Sequence, residues 1–344
     1  MLVLGLETSC DETACALVQD GQRVRSSIIA SQHELHAEYS GVVPEIASRA
    51  HVERLIPVVR EALKHANCEL SDIDAVAIGH RPGLIGSLLV GLSAAKALSW
   101  SLGVPLIGVD HVHAHLYAGL LESDAPPFPA LGLVVSGGHT SLYALADAVS
   151  PRRLGATIDD AIGEAYDKVA TMLGLAYPGG PNLDRLAPEG DDRAFDFPVS
   201  RLAPDSLNFS FSGLKTAVLY AVNGVPGAAE PPPPLTETRR RDIAASFQRA
   251  ACRAVILKLE RAFEHLSSAG ERPKSLLTGG GVTANSRLRQ ELQAFSRAHD
   301  LDLRLPAMAY CMDNAAMIAG LGHRMLAAGH VSDLTLQAAP VTSC

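Results

Sequence analysis

LGLETSCDET, Leu4 to Thr13, returns 127 residues later as LGLVVSGGHT, Leu131 to Thr140, with Leu, Gly, Leu, Ser and Thr in the same places. Five matches in ten positions mean little alone, but the segments after the two copies agree as well. After the first come the apolar run ACALV (Ala14 to Val18), the dipeptide Asp20-Gly21 and the strand-like run RVRSSII (Arg23 to Ile29). Asp-Gly between such runs predicts a tight hairpin, because the favoured two-residue turn needs positive φ. After the second copy come SLYALA (Ser141 to Ala146), RLGATI (Arg153 to Ile158) and a helical pattern from Asp160 to Leu173. Both halves read strand, turn, strand, turn, strand, helix. The sequence therefore predicts an internal duplication.

A chain of 344 residues exceeds the size at which one hydrophobic core keeps growing, so two lobes are expected. With 47% hydrophobic and 19% charged residues it has the profile of a compact folded protein. Met1 leads directly into a short apolar strand without the basic start and long apolar stretch of a secretory signal, which points to the cytoplasm. The apolar stretch from Leu84 to Trp100 is interrupted by Lys96 and serines, and reads as a buried helix rather than a membrane span. Cys10, Cys15, Cys68, Cys252, Cys311 and Cys344 form no CxxC pair, so neither a disulfide framework nor a zinc ribbon is indicated. The net charge of −8 argues against a general nucleic-acid binder, unless a local basic face or a helper subunit supplies the cations. One such face is offered by the helix from Arg239 to Leu266, where Arg239, Arg240, Arg241, Arg249, Arg253 and Lys258 accompany an apolar stripe; the alternative is an ordinary solvated surface. NGVPGAAEPPPPLTET, Asn223 to Thr238, reads as an exposed insertion.

Each half also closes with a strand, a glycine turn and a helix: DAVAIGHRPGLIGSLLVGLSAAKAL (Asp74 to Leu98) and KSLLTGGGVTANSRLRQELQAF (Lys274 to Phe295). Glycines let backbone approach a flat ligand, and a helix start offers free N–H groups. Two lobes built on three-stranded hairpin units with facing glycine turns are the α/β arrangement of the two-lobed actin-like, sugar-kinase and heat-shock-ATPase superfold, made of duplicated mixed-sheet, ribonuclease-H-like domains. The expected division is residues 1–128, joined by a C-terminal helix at 313–330, and residues 129–312, which carry the insertion at 223–238. This analogy says little about the reaction.

VPLIGVDHVHAHLYAGLLE, Val104 to Glu122, holds three histidines. If a helix starts near Asp110, His111 and His115 stand i and i+4 on one face, a spacing that chelates a divalent metal, and His113 points elsewhere. Were the segment a strand, all three would share a face. Asp313, just before a new apolar helix, is the candidate third ligand, with simple helix capping as the alternative. Two imidazoles and one carboxylate leave positions open for substrate oxygens.

SCDET, SGVVPEIASRAH, HVHAH, VSGGHT, GEAYDKVA, YPGGP, NFSFSGLKT, GGGVTAN and MDNAAMIA occur here in an order that closely resembles the TsaD family, from Leu4 to about Gly329. That family, once labelled O-sialoglycoprotein endopeptidase, transfers a threonylcarbamoyl group to tRNA. The resemblance implies that the exocyclic amine of adenosine 37, in tRNAs reading codons that begin with A, attacks L-threonylcarbamoyl-AMP and releases AMP. It also implies His111, His115 and Asp313 as metal ligands, with Fe2+ the usual occupant and Zn2+ a second. Val134, Val135, Ser136, Gly137 and Gly138 match the loop around the phosphate and acyl part. Asp167 matches a ribose-contacting carboxylate, Gly180 a tight turn beside the nucleoside, and Asn285 the residue beside the adenine; Asp184, one helical turn beyond Gly180, is placed for a ribose hydroxyl. Asp11 and Glu12, on the first hairpin loop, are the candidates for orienting or deprotonating the amine. Bacterial members act with a degenerate paralogue (TsaB-like) and a small ATPase (TsaE-like), partners that would let an acidic chain serve tRNA.

Three departures stand out. His80-Arg81-Pro82-Gly83 occupies the place of a Gly-Pro-Gly turn, Ala315 replaces a glycine after Asp-Asn, and His113-Ala114 replaces Glu-Gly. None removes a proposed ligand. The competing classes are a metal-dependent endopeptidase, against which the absence of HExxH speaks, and a non-catalytic nucleotide-binding partner or sugar kinase of the same superfold.

Overall fold

The computed structural model describes residues 1–39, 41–124, 128–199, 202–203, 205–228 and 231–342. Ser40 of the SGVVPEIASRAH motif, Ala229 and Glu230 of the proline-rich insertion, and Cys344 lie outside them. The chain forms two compact units: Met1–Pro126 with Asp147–Pro151 and Pro306–Cys344, and Pro127–Ala146 with Arg152–Leu305.

In the first unit β1 (Leu2–Glu7), β2 (Glu12–Gln19), β3 (Arg23–Ser31), β4 (Ala75–Arg81) and β5 (Leu106–Asp110) form one sheet in the order β3-β2-β1-β4-β5. β1 pairs antiparallel with β2 and parallel with β4. Asp20 and Gly21, at φ 54° and 75°, make the tight turn between β2 and β3 that the Asp-Gly signal predicts. Side chains alternate across the sheet. Leu4 and Leu6 share a core with Leu55 and Val59 of α2 (Pro44–Ala66) and with Leu92 and Ala95 of α3 (Ile85–Leu102). Gly5 faces α10 (Ala315–Ala327), which packs on β1, β2 and β4. A short α1 (His33–Ala37) follows β3, and α4 (His111–Ala118) follows β5.

At Gly5 the approach is so close that an added Cβ would lie 2.4 Å from the Ala315 carbonyl oxygen and 2.8 Å from the Ala319 Cβ. Backbone cannot yield as a flexible side chain can. Gly5→Ala is therefore expected to lift the start of α10 from the sheet and cost about 1–3 kcal/mol, read as a lower urea midpoint.

The second unit repeats the plan. β6 (Ala130–Val135), β7 (Thr140–Leu145), β8 (Pro151–Ala156), β9 (Ser275–Gly279) and β10 (Asp302–Arg304) run in the order β10-β9-β6-β7-β8, with β6 in the role of β1 and β9 in that of β4. Around them lie α5 (Ile162–Met172), α6 (Gly179–Leu186), α7 (Ser212–Asn223), α8 (Glu237–Ser268) and α9 (Ser286–His299). Leu131, Leu133 and Val135 join Ile162 and Val169 of α5 and Phe247, Val255 and Leu259 of α8 in one core. Two mixed sheets of one topology make this an α/β protein of duplicated units, as the repeat predicts, on the actin-like, ribonuclease-H-like plan.

Of the basic residues of α8, Arg253 is exposed and Arg239, Arg240, Arg241 and Arg249 are half-buried, so only part of the row meets solvent. Lys258 is fully buried and donates to the Ser206 carbonyl at 2.7 Å. Arg239 donates to the Ala221 carbonyl and lies over the Phe195 ring, and Arg241 pairs with Glu189. Much of the helix is buried, and Lys258 and Arg239 engage the segments that cover it. Among the described residues α3 alone is long and apolar enough to cross a membrane; Ser87, Gly91, Ala95 and Ser99 are buried against neighbouring elements. Cys10, Cys15, Cys68 and Cys252 are free thiols, and the Cys311 thiol donates to the Ala307 carbonyl at 3.5 Å.

Candidate functional site

In the first unit the metal-ligand candidates converge. Asp110 ends β5 and caps α4, accepting from the Val112 and His113 amides at 3.0 and 3.3 Å. The helix thus begins at His111, and His111 and His115 fall on one face with rings 4.7 Å apart. Asp313 reaches both: its Oδ1 lies 3.1 Å from His115 Nε2 and 3.5 Å from His111 Nε2. The cap of α10 is Asn314, whose side-chain oxygen accepts from the Met317 amide. Capping therefore does not fall to Asp313, whose carboxylate rests on the imidazoles.

The geometry suits a cation. His115 is wholly buried; its Nδ1 has no hydrogen-bond partner among the described residues, and its Nε2 has the Asp313 carboxylate 3.1 Å away. Orphaned buried nitrogens are costly unless a proton partner or a metal takes them. For His111, burial alone would lower the pKa, but the carboxylates of Glu7 and Asp313 outweigh it and hold it up at about 10; the pocket favours positive charge. Glu7 Oε2 contacts His111 Nδ1 at 3.0 Å, and Ser9 Oγ lies 3.3 Å from the same nitrogen. These contacts leave Nε2 turned toward Asp313. Ligand atoms of His111, His115 and Asp313 all lie within 4.8 Å of one another. Nitrogen and carboxylate donors in this number fit Fe2+ or Zn2+ with positions left open. The Asp313 side chain is 22% exposed against 0% for His115, so the cluster opens on the aspartate side.

Asp11 and Glu12 lie just before and at the start of β2, both buried. His33 of α1 joins them, with Nε2 3.3 Å from Glu12 Oε1 and 3.7 Å from Asp11 Oδ2. Burial lifts the Glu12 carboxyl to about 8, with Asp313 and Asp11 adding to the lift and the His33 contact opposing it. Asp11 Oδ2 is buried and, beyond the His33 contact, has no hydrogen-bond partner among the described residues.

In the second unit Val134 and Val135 end β6, and Ser136, Gly137 and Gly138 turn the chain into β7. The Ser136 amide donates to the His139 carbonyl, and nothing would meet a Cβ at Gly137 or Gly138, so this turn faces open space. Gly280, at φ +95°, approaches the Val135 carbonyl so closely that a Cβ would stand 2.3 Å from it. Asp167 of α5 accepts from the Gly179 and Gly180 amides at 2.9 and 3.2 Å, tying α5 to the start of α6. Asp184 accepts from Gln248 and from the Ser286 amide and hydroxyl. Asn285 caps α9 by accepting from Leu288, and its Nδ2 donates to Gln248 Oε1 at 3.4 Å. Gln248 therefore joins Asp184 to Asn285.

Glu7, Ser9, His33 and Gln248 carry no role that the sequence alone assigns. Glu7 and Ser9 lie inside the repeated stretch itself, which is a usable signal. His33 and Gln248 have none: their roles arise from contacts with residues 21 and 37 or more positions away.

A family model described as tRNA N6-adenosine threonylcarbamoyltransferase matches residues 23–320. A relative of that name from Trichlorobacter lovleyi is 49% identical over 98% of this chain and 95% of its own length. One from Moorella thermoacetica is 48% identical over 98% of this chain and 96% of its own. Among solved structures, HypF from T. kodakarensis covers 95% of this chain and 48% of its own at a TM-score of 0.60 and 17% identity. The (R)-2-hydroxyglutaryl-CoA dehydratase component A of Acidaminococcus fermentans covers 95% of this chain and 99% of its own at 0.52 and 14%. These last two likenesses concern the fold alone.

Proposed function

The chain belongs to the TsaD family of tRNA N6-adenosine threonylcarbamoyltransferases, and on that footing we propose that it transfers the threonylcarbamoyl group of L-threonylcarbamoyl-AMP to the exocyclic amine of adenosine 37 in tRNAs reading codons that begin with A. The observation that carries the reading is identity of nearly half over almost the whole chain. The amine nitrogen forms a bond to the carbamoyl carbon, the bond from that carbon to the phosphate oxygen breaks, and AMP leaves with the electron pair. One proton must leave the amine. A mixed anhydride is already activated, so the protein's task is to hold, polarise and orient.

We assign the adenylate to the second unit. The open turn Ser136 to Gly138, following Val134 and Val135, offers backbone to the phosphate and acyl part. Asp167 with Gly180 and Asp184 would meet the ribose, and Asn285 the adenine; each is already fixed by protein hydrogen bonds, which supports their preorganisation. In the first unit His111, His115 and Asp313 would hold one divalent ion, Fe2+ first and Zn2+ second, the fit resting on two buried imidazole Nε2 atoms that converge on Asp313 Oδ1. When bound, such an ion supplies Lewis-acid polarisation of an oxygen. Glu12, with Asp11 beside it, would receive the amine proton and orient the amine.

The protein would act in the cytoplasm with a degenerate TsaB-like paralogue and a small TsaE-like ATPase. With a net charge of −8 on the chain, such partners would contribute positive surface for tRNA. Incubating the chain with threonylcarbamoyl-AMP, unmodified tRNA and those subunits should yield N6-threonylcarbamoyladenosine by mass spectrometry of the digested tRNA. Intact unmodified adenosine under those conditions rejects the proposal.

A further inference from the structure

The turn His80-Arg81-Pro82-Gly83, where a smaller glycine turn is usual, has a specific use in the fold. β4 and β5 run parallel, and an irregularity between Gly79 and Arg81 brings Arg81 into register opposite Asp110. Arg81 Nε then faces Asp110 Oδ2 at 3.3 Å. Both atoms are buried, and neither has a hydrogen-bond partner among the described residues. They answer each other by charge. Asp110 spends its other oxygen on the amides of Val112 and His113, so one carboxylate links the turn to the first turn of α4.

The same turn touches the other support of His111. The Leu84 amide donates to the Ser9 carbonyl at 2.8 Å. Gly83 lies so near that a Cβ there would be 2.5 Å from that oxygen. Ser9 in turn sits 3.3 Å from His111 Nδ1, and its amide donates to Glu7 Oε1. Residues 81–84 thus brace His111 along the backbone through Asp110 and along the ring through Ser9.

We propose that Arg81 is a positioning residue for the metal centre: its ion pair with Asp110 clamps the start of α4 and holds His111 aimed at the position it shares with His115 and Asp313. This rests on the reading of those three residues as metal ligands. Outer partners of this kind commonly set metal affinity by about 10- to 100-fold. Arginine suits the task because it stays charged at all relevant pH and carries its donors in a rigid fork.

The test uses the full chain and Zn2+ alone, with affinity measured by chelator competition and folding checked on metal-free protein by circular dichroism. Arg81→Ala and Asp110→Asn should each weaken Zn2+ about 10- to 100-fold. The double variant should be no weaker than the poorer single, since the pair acts as one unit. Arg81→Lys, which restores a charge without the fork, should fall between Arg81→Ala and wild type, a graded rescue that a merely structural role would not give. If Arg81→Ala is poorly folded, Arg81→Lys and Arg81→Gln decide by the same order of affinities. Wild-type Zn2+ affinity in folded Arg81 variants, or losses that simply add in the double variant, overturns the proposal. Failure of the underlying reading looks different: wild-type protein would then bind no Zn2+ that His111→Ala removes.

Discussion

His115→Ala is expected to abolish stoichiometric metal binding and to lower transfer to tRNA by about 10³-fold, the rate equivalent of some 4 kcal/mol of lost Lewis-acid stabilisation. The size follows from where His115 sits. Its ring is fully buried, its Nε2 faces the Asp313 carboxylate, and burial pushes its pKa down against the pull of Asp313, so at neutral pH it is an uncharged ligand with a lone pair to give. Deleting it removes a donor that no neighbour replaces. Thermal unfolding supplies an independent check. A metal at 100 times its dissociation constant stabilises the native state by about 2.7 kcal/mol, so wild type should melt higher with added metal and the variant should not respond. A variant that loses metal yet keeps full transfer activity would remove the metal from the reaction.

His115 also marks how far the sequence reaches. The i, i+4 spacing of His111 and His115 is legible because helix periodicity is local, and the duplication is legible because LGLETSCDET and LGLVVSGGHT feed the same antiparallel register, Leu6↔Cys15 in one sheet and Val134↔Ser141 in the other. Asp313 is a candidate with a rival reading as a cap, and only the neighbouring Asn314 cap separates the two. Lys258 in the basic row of α8 misleads for the opposite reason. Spacing shows which residues share a helix face but not what covers that face, and Lys258 finds the Ser206 carbonyl 52 positions back along the chain. Arg81 can be seen as an anomaly, yet its partner emerges only from the β4–β5 register.

Glu12→Gln should reduce turnover by about 10²- to 10⁴-fold, the usual weight of a general base, while making the protein more stable in alkali. Both effects come from one carboxyl. Its pKa stands at about 8 instead of the ordinary 4.5, chiefly through burial, with Asp313 and Asp11 adding to the rise and His33 opposing it. Cys10 beside it is also buried and raised, so it brings no charge near neutrality. As a base Glu12 works only when ionised, so the wild-type rate should climb with pH and level off above about 8. Stability runs the other way. Between about 4.5 and 8 the native state holds a proton that the unfolded chain has released, so the unfolding free energy contributed by this group falls as pH rises through that window and is gone above it. Glutamine cannot ionise and escapes the loss. Urea midpoints of wild type and variant should therefore converge near pH 4.5, separate as pH rises to about 8 and stay apart above it, with the variant higher. His33→Ala, by removing a contact that favours the ionised form, should push the acid limb of the rate profile further toward alkali. A profile flat from about pH 6 to 9, or a Glu12→Gln enzyme with undiminished turnover, would remove Glu12 from the proton transfer and leave Asp11 as the acid to examine.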